Sequence, residues 1–385
     1  MVKNTSIITS SSYISMLLLG VAATLIGAAA RNIGLSPYEI SLMIMIQNLG
    51  FMVSVMISGA LADTYSKPKI LMIGSLILSA AFLTFYSTAA FNLNLVIMFM
   101  IGAGIGTYEG VTDAMLIDIH PQKESLHINI NHFFVTFGSI LITVYLIFLQ
   151  MNWRNAVVQS GIIVFGLAIL FALIKLSTRI KTTEPYLERM RILTRDKVVV
   201  VFFIATALVV GIEAGTIGIL TTYLMDMRAF TQVTSKIGLV IFLLGMALGR
   251  VIIGIFAPQD KINQILLALF GASVIIYSTL FFFDLKFLTY GVIFLAGLSI
   301  SALLPLMLAK AGLIYSEMAG TVLGSIKVAI PIGGILIPFA MSNLVKYWSF
   351  SLSLIIFPLS LLTAFVLIYL TTSTESKVGK SSSAD

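Results

Sequence analysis

The chain has no cysteine, three histidines and two tryptophans, and only 10% of its 385 residues are charged. Without cysteine there are no disulfides and no thiolate metal sites. Three histidines leave a poor ligand set for a zinc cluster. A charged fraction this low cannot cover a surface in water, because soluble domains carry about 25% charged residues. With 59% of its residues hydrophobic, the chain is first of all not a soluble enzyme. No nucleophile–base pair, phosphate-cradling loop or nucleotide motif occurs either, which argues against enzyme chemistry, a bound cofactor and ATP-driven work.

What the sequence has is long apolar runs. Alternation over about ten positions would mark barrel strands, but here the runs are continuous and long enough for helices that cross a bilayer, about 20 residues each. Twelve spans are expected near residues 7–30, 38–61, 69–90, 93–118, 127–150, 155–178, 198–224, 234–256, 262–283, 287–309, 318–341 and 347–371. The first exceeds the roughly 7–15 residues of a signal core, so it reads as span 1 and not as a cleaved leader. The fold class is therefore an all-α integral membrane protein of twelve transmembrane helices in two pseudo-symmetric six-helix bundles.

One long charged loop, residues 179–197, divides the spans six and six. This gives a bundle over 1–178, a linker over 179–197, a second bundle over 198–371 and a polar, disordered tail over 372–385. Two such halves form a repeat pattern found in secondary transporters. The net charge of +7 sits in the connections, so it sets orientation and does not signal nucleic acid. With both termini inside, sixteen lysines and arginines fall inside and six outside, and Lys327 lies within a span. The expected location is a cell membrane, multi-pass, with cytoplasmic termini. The bilayer is the expected partner, and the chain is expected to work as a monomer.

After span 2 the chain reads Gly59-Ala60-Leu61-Ala62-Asp63-Thr64-Tyr65-Ser66-Lys67-Pro68-Lys69. This resembles the signature loop of the major facilitator superfamily, with Thr64 and Ser66 as departures. Gly245-Met246-Ala247-Leu248-Gly249-Arg250, after span 8, looks like a degenerate second copy. Gly59 permits close helix approach, and Asp63 needs a donor or a cation. A gate at the cytoplasmic face is expected from Gly59, Asp63, Lys67, Lys69, Asp118, Arg250 and Glu317. In it Asp118 would pair with Lys67 or Lys69, and Arg250 with Glu317. The bland alternative is that these charges are solvated and serve only to orient the chain.

Ionisable residues inside spans are costly, by about 2.5–3.5 kcal/mol on insertion scales, and so point to function. Glu109 and Asp113 in span 4 are four residues apart and share a face. They flank the ridge Gly102, Gly106 and Gly110, which lets another helix approach and turns both acids inward. Two like charges this close repel, so the pair is expected to hold a proton, as a proton-coupled carrier requires. Asp113 and His132 of span 5 should lie at similar depth and touch. Glu213 is near the middle of span 7. Lys327 lies about a third of the way into span 11, as a counter-ion, a substrate contact or a snorkelling lysine.

Span 4, Gly104-Ile105-Gly106-Thr107-Tyr108-Glu109-Gly110-Val111-Thr112-Asp113 with Pro121 beyond, is similar to the fucose/glucose-type sugar–proton symporter branch. Span 5, Asn129 to Gly138, resembles the same branch, as does Glu213. The resemblance implies proton coupling at Glu109, with Asp113 an added acid. It also implies sugar contacts from Glu109, His132 and Glu213, to which the in-span charge of Lys327 and the aromatic face of Tyr108, suited to stacking on a sugar, are added as expected substrate contacts. Span 1 lacks the aspartate of some fucose-type members, so the sugar contacts are remodelled. The expected activity is symport of a small sugar-like solute with protons by alternating access. A proton-coupled efflux antiporter for amphipathic compounds is the alternative, and a non-transporting receptor a more distant one.

Overall fold

The structure is a computed structural model and describes residues 4–35, 37–149, 152–176 and 186–381. The basic residues Lys3, Arg179 and Lys181, and the chain beyond Ser381, lie outside them. The fold is 88% helix, with no strand among the described residues. Twelve helices or helix pairs are long and apolar enough to cross a membrane, from Thr5–Leu25 to Phe350–Thr371. Helices satisfy every backbone group within the segment, which a bilayer demands.

The helices are α1 (Thr5–Ile33), α2 (Pro37–Leu61), α3 (Lys67–Thr84), α4 (Phe91–Ile119), α5 (Glu124–Phe148), α6 (Trp153–Leu173), α7 (Tyr186–Leu193) and α8 (Lys197–Arg228). They continue as α9 (Gln232–Phe256), α10 (Ile262–Phe282), α11 (Thr289–Ser301), α12 (Leu303–Ile314), α13 (Ala319–Lys327), α14 (Ala329–Tyr347), α15 (Phe350–Ser353) and α16 (Ile356–Ser381). The short α7 lies inside the expected linker, and α16 runs on through much of the segment read as a disordered tail.

Spans 10, 11 and 12 are broken helices, and proline sets each break. A proline has no N–H, and its ring clashes with the carbonyl four residues earlier. Pro305 stands four residues after Ser301, where α11 ends, and Pro331 stands four after Lys327, where α13 ends. Pro358 breaks the helix in the same way behind Leu354.

The chain divides into two compact units. The first holds residues 1–190 and 312–328, the second 191–311 and 329–385. The first half of span 11, α13, therefore belongs with the first unit. In that unit α4 packs along α2 through the expected ridge. A Cβ on Gly106 would stand 2.5 Å from the Phe51 carbonyl oxygen, and one on Gly110 2.8 Å from that of Val55. Against the same α2, α13 crosses closely: a Cβ on Gly59 would lie 2.6 Å from the Gly320 oxygen and 2.9 Å from Gly324 Cα. In the second unit, α8 packs on α14 through Gly211, whose added Cβ would meet the Gly333 oxygen at 2.7 Å.

Candidate functional site

The glycine ridge of α4 brings the backbone so close to α2 that its polar side chains turn aside into the first unit. Glu109 and Asp113 are 4% and 1% exposed. On α5, Asn131 and His132 reach the same point, as depth counting predicted. Asn131 Nδ2 donates to Asp113 Oδ1 at 2.7 Å, and His132 Nε2 lies 3.1 Å from Asp113 Oδ2. The fully buried Lys327, last residue of α13, completes the cluster. Its Nζ is 2.6 Å from Asp113 Oδ2, 2.9 Å from Glu109 Oε1 and 2.5 Å from the Glu109 carbonyl oxygen.

This corrects the picture of two acids that repel each other, because the ammonium of Lys327 lies against both. A buried charge is costly unless it is paired and hydrogen-bonded, and the two acids are not equally well held. Asp113 has both oxygens engaged, by Asn131 on one side and by His132 and Lys327 on the other. Glu109 Oε1 is within ion-pair reach of Lys327, yet among the described residues no donor meets it at hydrogen-bond angles. His132 Nε2 is 3.9 Å away from it. With a neutral imidazole, two carboxylates and one ammonium leave a net charge of −1. Of the two acids, Glu109 is the less fully bonded.

A second ion pair, a buried arginine with a half-buried glutamate, lies in the second unit. Arg250 of α9 reaches Glu213 of α8 at 3.2 Å. Its Nε donates to the Ser301 carbonyl at 3.2 Å, the carbonyl that Pro305 deprives of its helical partner. Arg250, expected to meet Glu317 at the gate, thus binds Glu213, which was expected to meet substrate. Glu317 itself is exposed.

A third constellation gathers at Asp63, just past α2. Its carboxylate accepts from the backbone N–H of Gly320 and of Thr321, each at 2.8 Å, and from Thr321 Oγ1 at 2.5 Å. These donors open α13, where unpaired N–H groups and the helix dipole favour an anion. Arg189 of α7 adds a charged donor at 3.0 Å, and also reaches Thr321 Oγ1 and the Ala60 carbonyl. Nearby, Lys67 pairs with Asp118 at 2.7 Å, while Lys69 is exposed.

Tyr108, expected at the substrate, is fully buried with its hydroxyl 2.8 Å from Ser75 Oγ in the α3–α4 seam. Two contributors escaped the sequence reading. Arg189 counted only as a loop cation, and nothing in its surroundings marks it as buried. Asn131 stood beside His132 in a noted motif, and its helical offset from Asp113 was the missing clue.

Comparison with known proteins follows this geometry. The family model described as Major Facilitator Superfamily matches residues 5–326. The glucose/mannose transporter GlcP of Bacillus subtilis (strain 168) is 23% identical over 357 residues, covering 86% of this chain and 84% of that protein. Among solved structures, FucP in its outward conformation, described elsewhere as the E. coli fucose:proton symporter, superposes with a TM-score of 0.75 at 16% identity. That match covers 94% of this chain and 98% of FucP. The human organic anion transporter MFSD10 superposes at 0.72 and 14% identity, covering 95% of this chain and all of that one. At these identities the structural likeness speaks for the fold alone, and it spans unlike substrates.

Proposed function

Because the chain belongs to the Major Facilitator Superfamily and is thus a membrane transporter, not an enzyme, we propose that it carries a small sugar together with a proton by symport. The observation that carries this reading is the half-held Glu109: 4% exposed, ion-paired to Lys327, and without a well-aligned hydrogen bond on Oε1. A carboxylate in that position exchanges a proton without dismantling the rest of the cluster. The names of GlcP and FucP supply the substrate class.

In the proposed cycle the two halves of the chain, 1–178 and 198–371, alternate in opening on either side of the membrane. Glu109 takes a proton from outside. With that charge gone, Lys327 keeps the Asp113 carboxylate and the Glu109 carbonyl but loses one of its two anionic partners, and α13 is less firmly bound to α4. The expected sugar contacts are His132 in the first unit and, taken by itself in the second, the partly exposed Glu213 carboxylate, which can accept from sugar hydroxyls. Proton loss from Glu109 to the cytoplasm resets the cluster. Asp63, with Arg189 and the start of α13, forms the cytoplasmic latch, with Lys67–Asp118 beside it. Both termini are cytoplasmic, and one copy suffices for the cycle.

The test is internal pH in proteoliposomes as a panel of sugars is added, with drug-like cations as controls. Symport predicts acidification with at least one sugar, lost in Glu109→Gln while sugar exchange persists. Proton movement with a cation and with no sugar would favour the efflux antiporter. Undiminished proton-driven accumulation in Glu109→Gln would remove Glu109 as the coupling acid.

A further inference from the structure

We propose that Lys327 is a tethered cation occupying what is otherwise a binding site for a free alkali cation, and that its presence there makes the centre refuse Na⁺. The clause about coupling rests on the symport reading above; the cation site itself stands on geometry.

The ammonium of Lys327 is surrounded as a hard cation would be. Three oxygens lie about it: Asp113 Oδ2 at 2.6 Å, Glu109 Oε1 at 2.9 Å and the Glu109 carbonyl at 2.5 Å. Carboxylates and carbonyls are the donors that hard metal ions select. Glu109, Asp113 and His132 each offer a ligand atom, and these atoms lie within 4.8 Å of one another. So many ligands around one point, with both carboxyl groups buried, form a cation cradle. A second observation points the same way. Glu109 Oε1 is buried and aimed at the ammonium without a hydrogen bond of good angle. A spherical cation makes no angular demand, so such an oxygen suits a metal ion better than it suits an N–H donor.

Charge decides which ion. Lysine contributes +1, and removing its charge leaves two buried carboxylates beside the Asn131 amide and the His132 ring. A monovalent ion restores the balance. Because Lys327 is joined to α13, it cannot leave with the solute, and the only mobile charge left for the cycle is the proton.

The experiment uses the purified full-length protein and Na⁺ or Li⁺ alone as probe. Thermal unfolding midpoints are compared in NaCl or LiCl against choline chloride at equal ionic strength. The wild type should give the same midpoint in all three. Lys327→Met and Lys327→Gln should show a saturable upward shift with Na⁺ or Li⁺, and adding Asp113→Asn should abolish it. Variants that fold in choline and ignore both ions would overturn the proposal, as would a wild type that responds equally. If the variants fold in neither salt, the proposal also fails, because it requires the ion to restore them. No sugar enters the assay, so a negative here is separate from failure of sugar–proton symport.

Discussion

Lys327 Nζ lies 2.6 Å from Asp113 Oδ2, and Lys327 is the last residue before span 11 breaks. The break belongs to Pro331, whose ring denies the Lys327 carbonyl its usual helical donor. One residue thus marks the end of α13 and also anchors it to α4. Removing one partner of a buried pair leaves an uncompensated charge and costs about 3–5 kcal/mol. In Na⁺-free buffer, Lys327→Met should lower stability by about that much. Lys327→Met with Asp113→Asn should recover part of it, because one buried carboxylate is then left without its cation in place of two. Thermal unfolding of the two variants, side by side in choline chloride, checks this. A double variant less stable than the single one would refute the charge account.

Asp63 and Arg189 are paired at 3.0 Å, but the two ends are not equally dependent on each other. Without Arg189, Asp63 keeps the N–H groups of Gly320 and Thr321 and the Thr321 hydroxyl. Without Asp63, a buried guanidinium retains only neutral acceptors, Thr321 Oγ1 and the Ala60 carbonyl. Asp63→Ala should therefore cost more than Arg189→Ala, with the former near about 3–5 kcal/mol. Hydrogen exchange adds a local readout. Asp63→Ala should raise exchange at Gly320 and Thr321, whereas Arg189→Ala should raise it chiefly in α7. Equal exchange at Gly320 in both variants would contradict the asymmetry.

The spans were legible because continuous apolar runs of this length have no soluble reading, and the loops between them are short. The Asp113–His132 contact was legible too, since both residues lie a similar number of positions from the α4–α5 turn. Lys67 and Asp118 followed from their places at neighbouring helix ends. The Lys327 contact was not. Its chain neighbours say that it is inside the membrane, and nothing local says which helix α13 packs against. That information lies in the crossing where Gly59 of α2 meets Gly320 and Gly324 of α13, far away in sequence. Arg250 was misassigned for a related reason. The carbonyl that holds it is freed by Pro305, and the proline lies in another span.

Gly59 tests the crossing directly. A Cβ there would stand 2.6 Å from the Gly320 carbonyl and 2.9 Å from Gly324 Cα, both backbone atoms that cannot rotate away. Gly59→Ala must therefore push α13 off α2, and overpacking of this kind costs about 1–3 kcal/mol. The Asp63 bonds to Gly320 and Thr321 depend on the same crossing, so they should weaken with it. The expected result is a lower unfolding midpoint together with faster exchange at the Gly320 amide. Gly34→Ala is not a fair control, because Gly34 has φ +85. Gly291→Ala is one, since a Cβ there meets nothing within 4 Å.

His120 sits just beyond the end of α4 and offers a pH dependence whose sign can be worked out. Partial burial, helped by the nearby Lys123 charge, holds its imidazole below the ordinary value of 6.5. Thr9 Oγ1 of α1 lies 2.6 Å from Nε2, and the His127 ring stacks on it at 3.5 Å. Above about pH 6.5 the ring is neutral in folded and unfolded chains alike, and its contribution is constant. Below that value the unfolded chain takes up the proton first, so the folded state loses ground until the pH passes the lower folded value. Stability should therefore fall as the pH drops from about 7 to about 5. His120→Gln should make that fall shallower, because its amide does not titrate. The comparison is of unfolding midpoints for the two proteins across that range, which cancels what the other titrating groups contribute. Parallel curves would mean that His120 is no more averse to its proton in the folded chain than in the unfolded one.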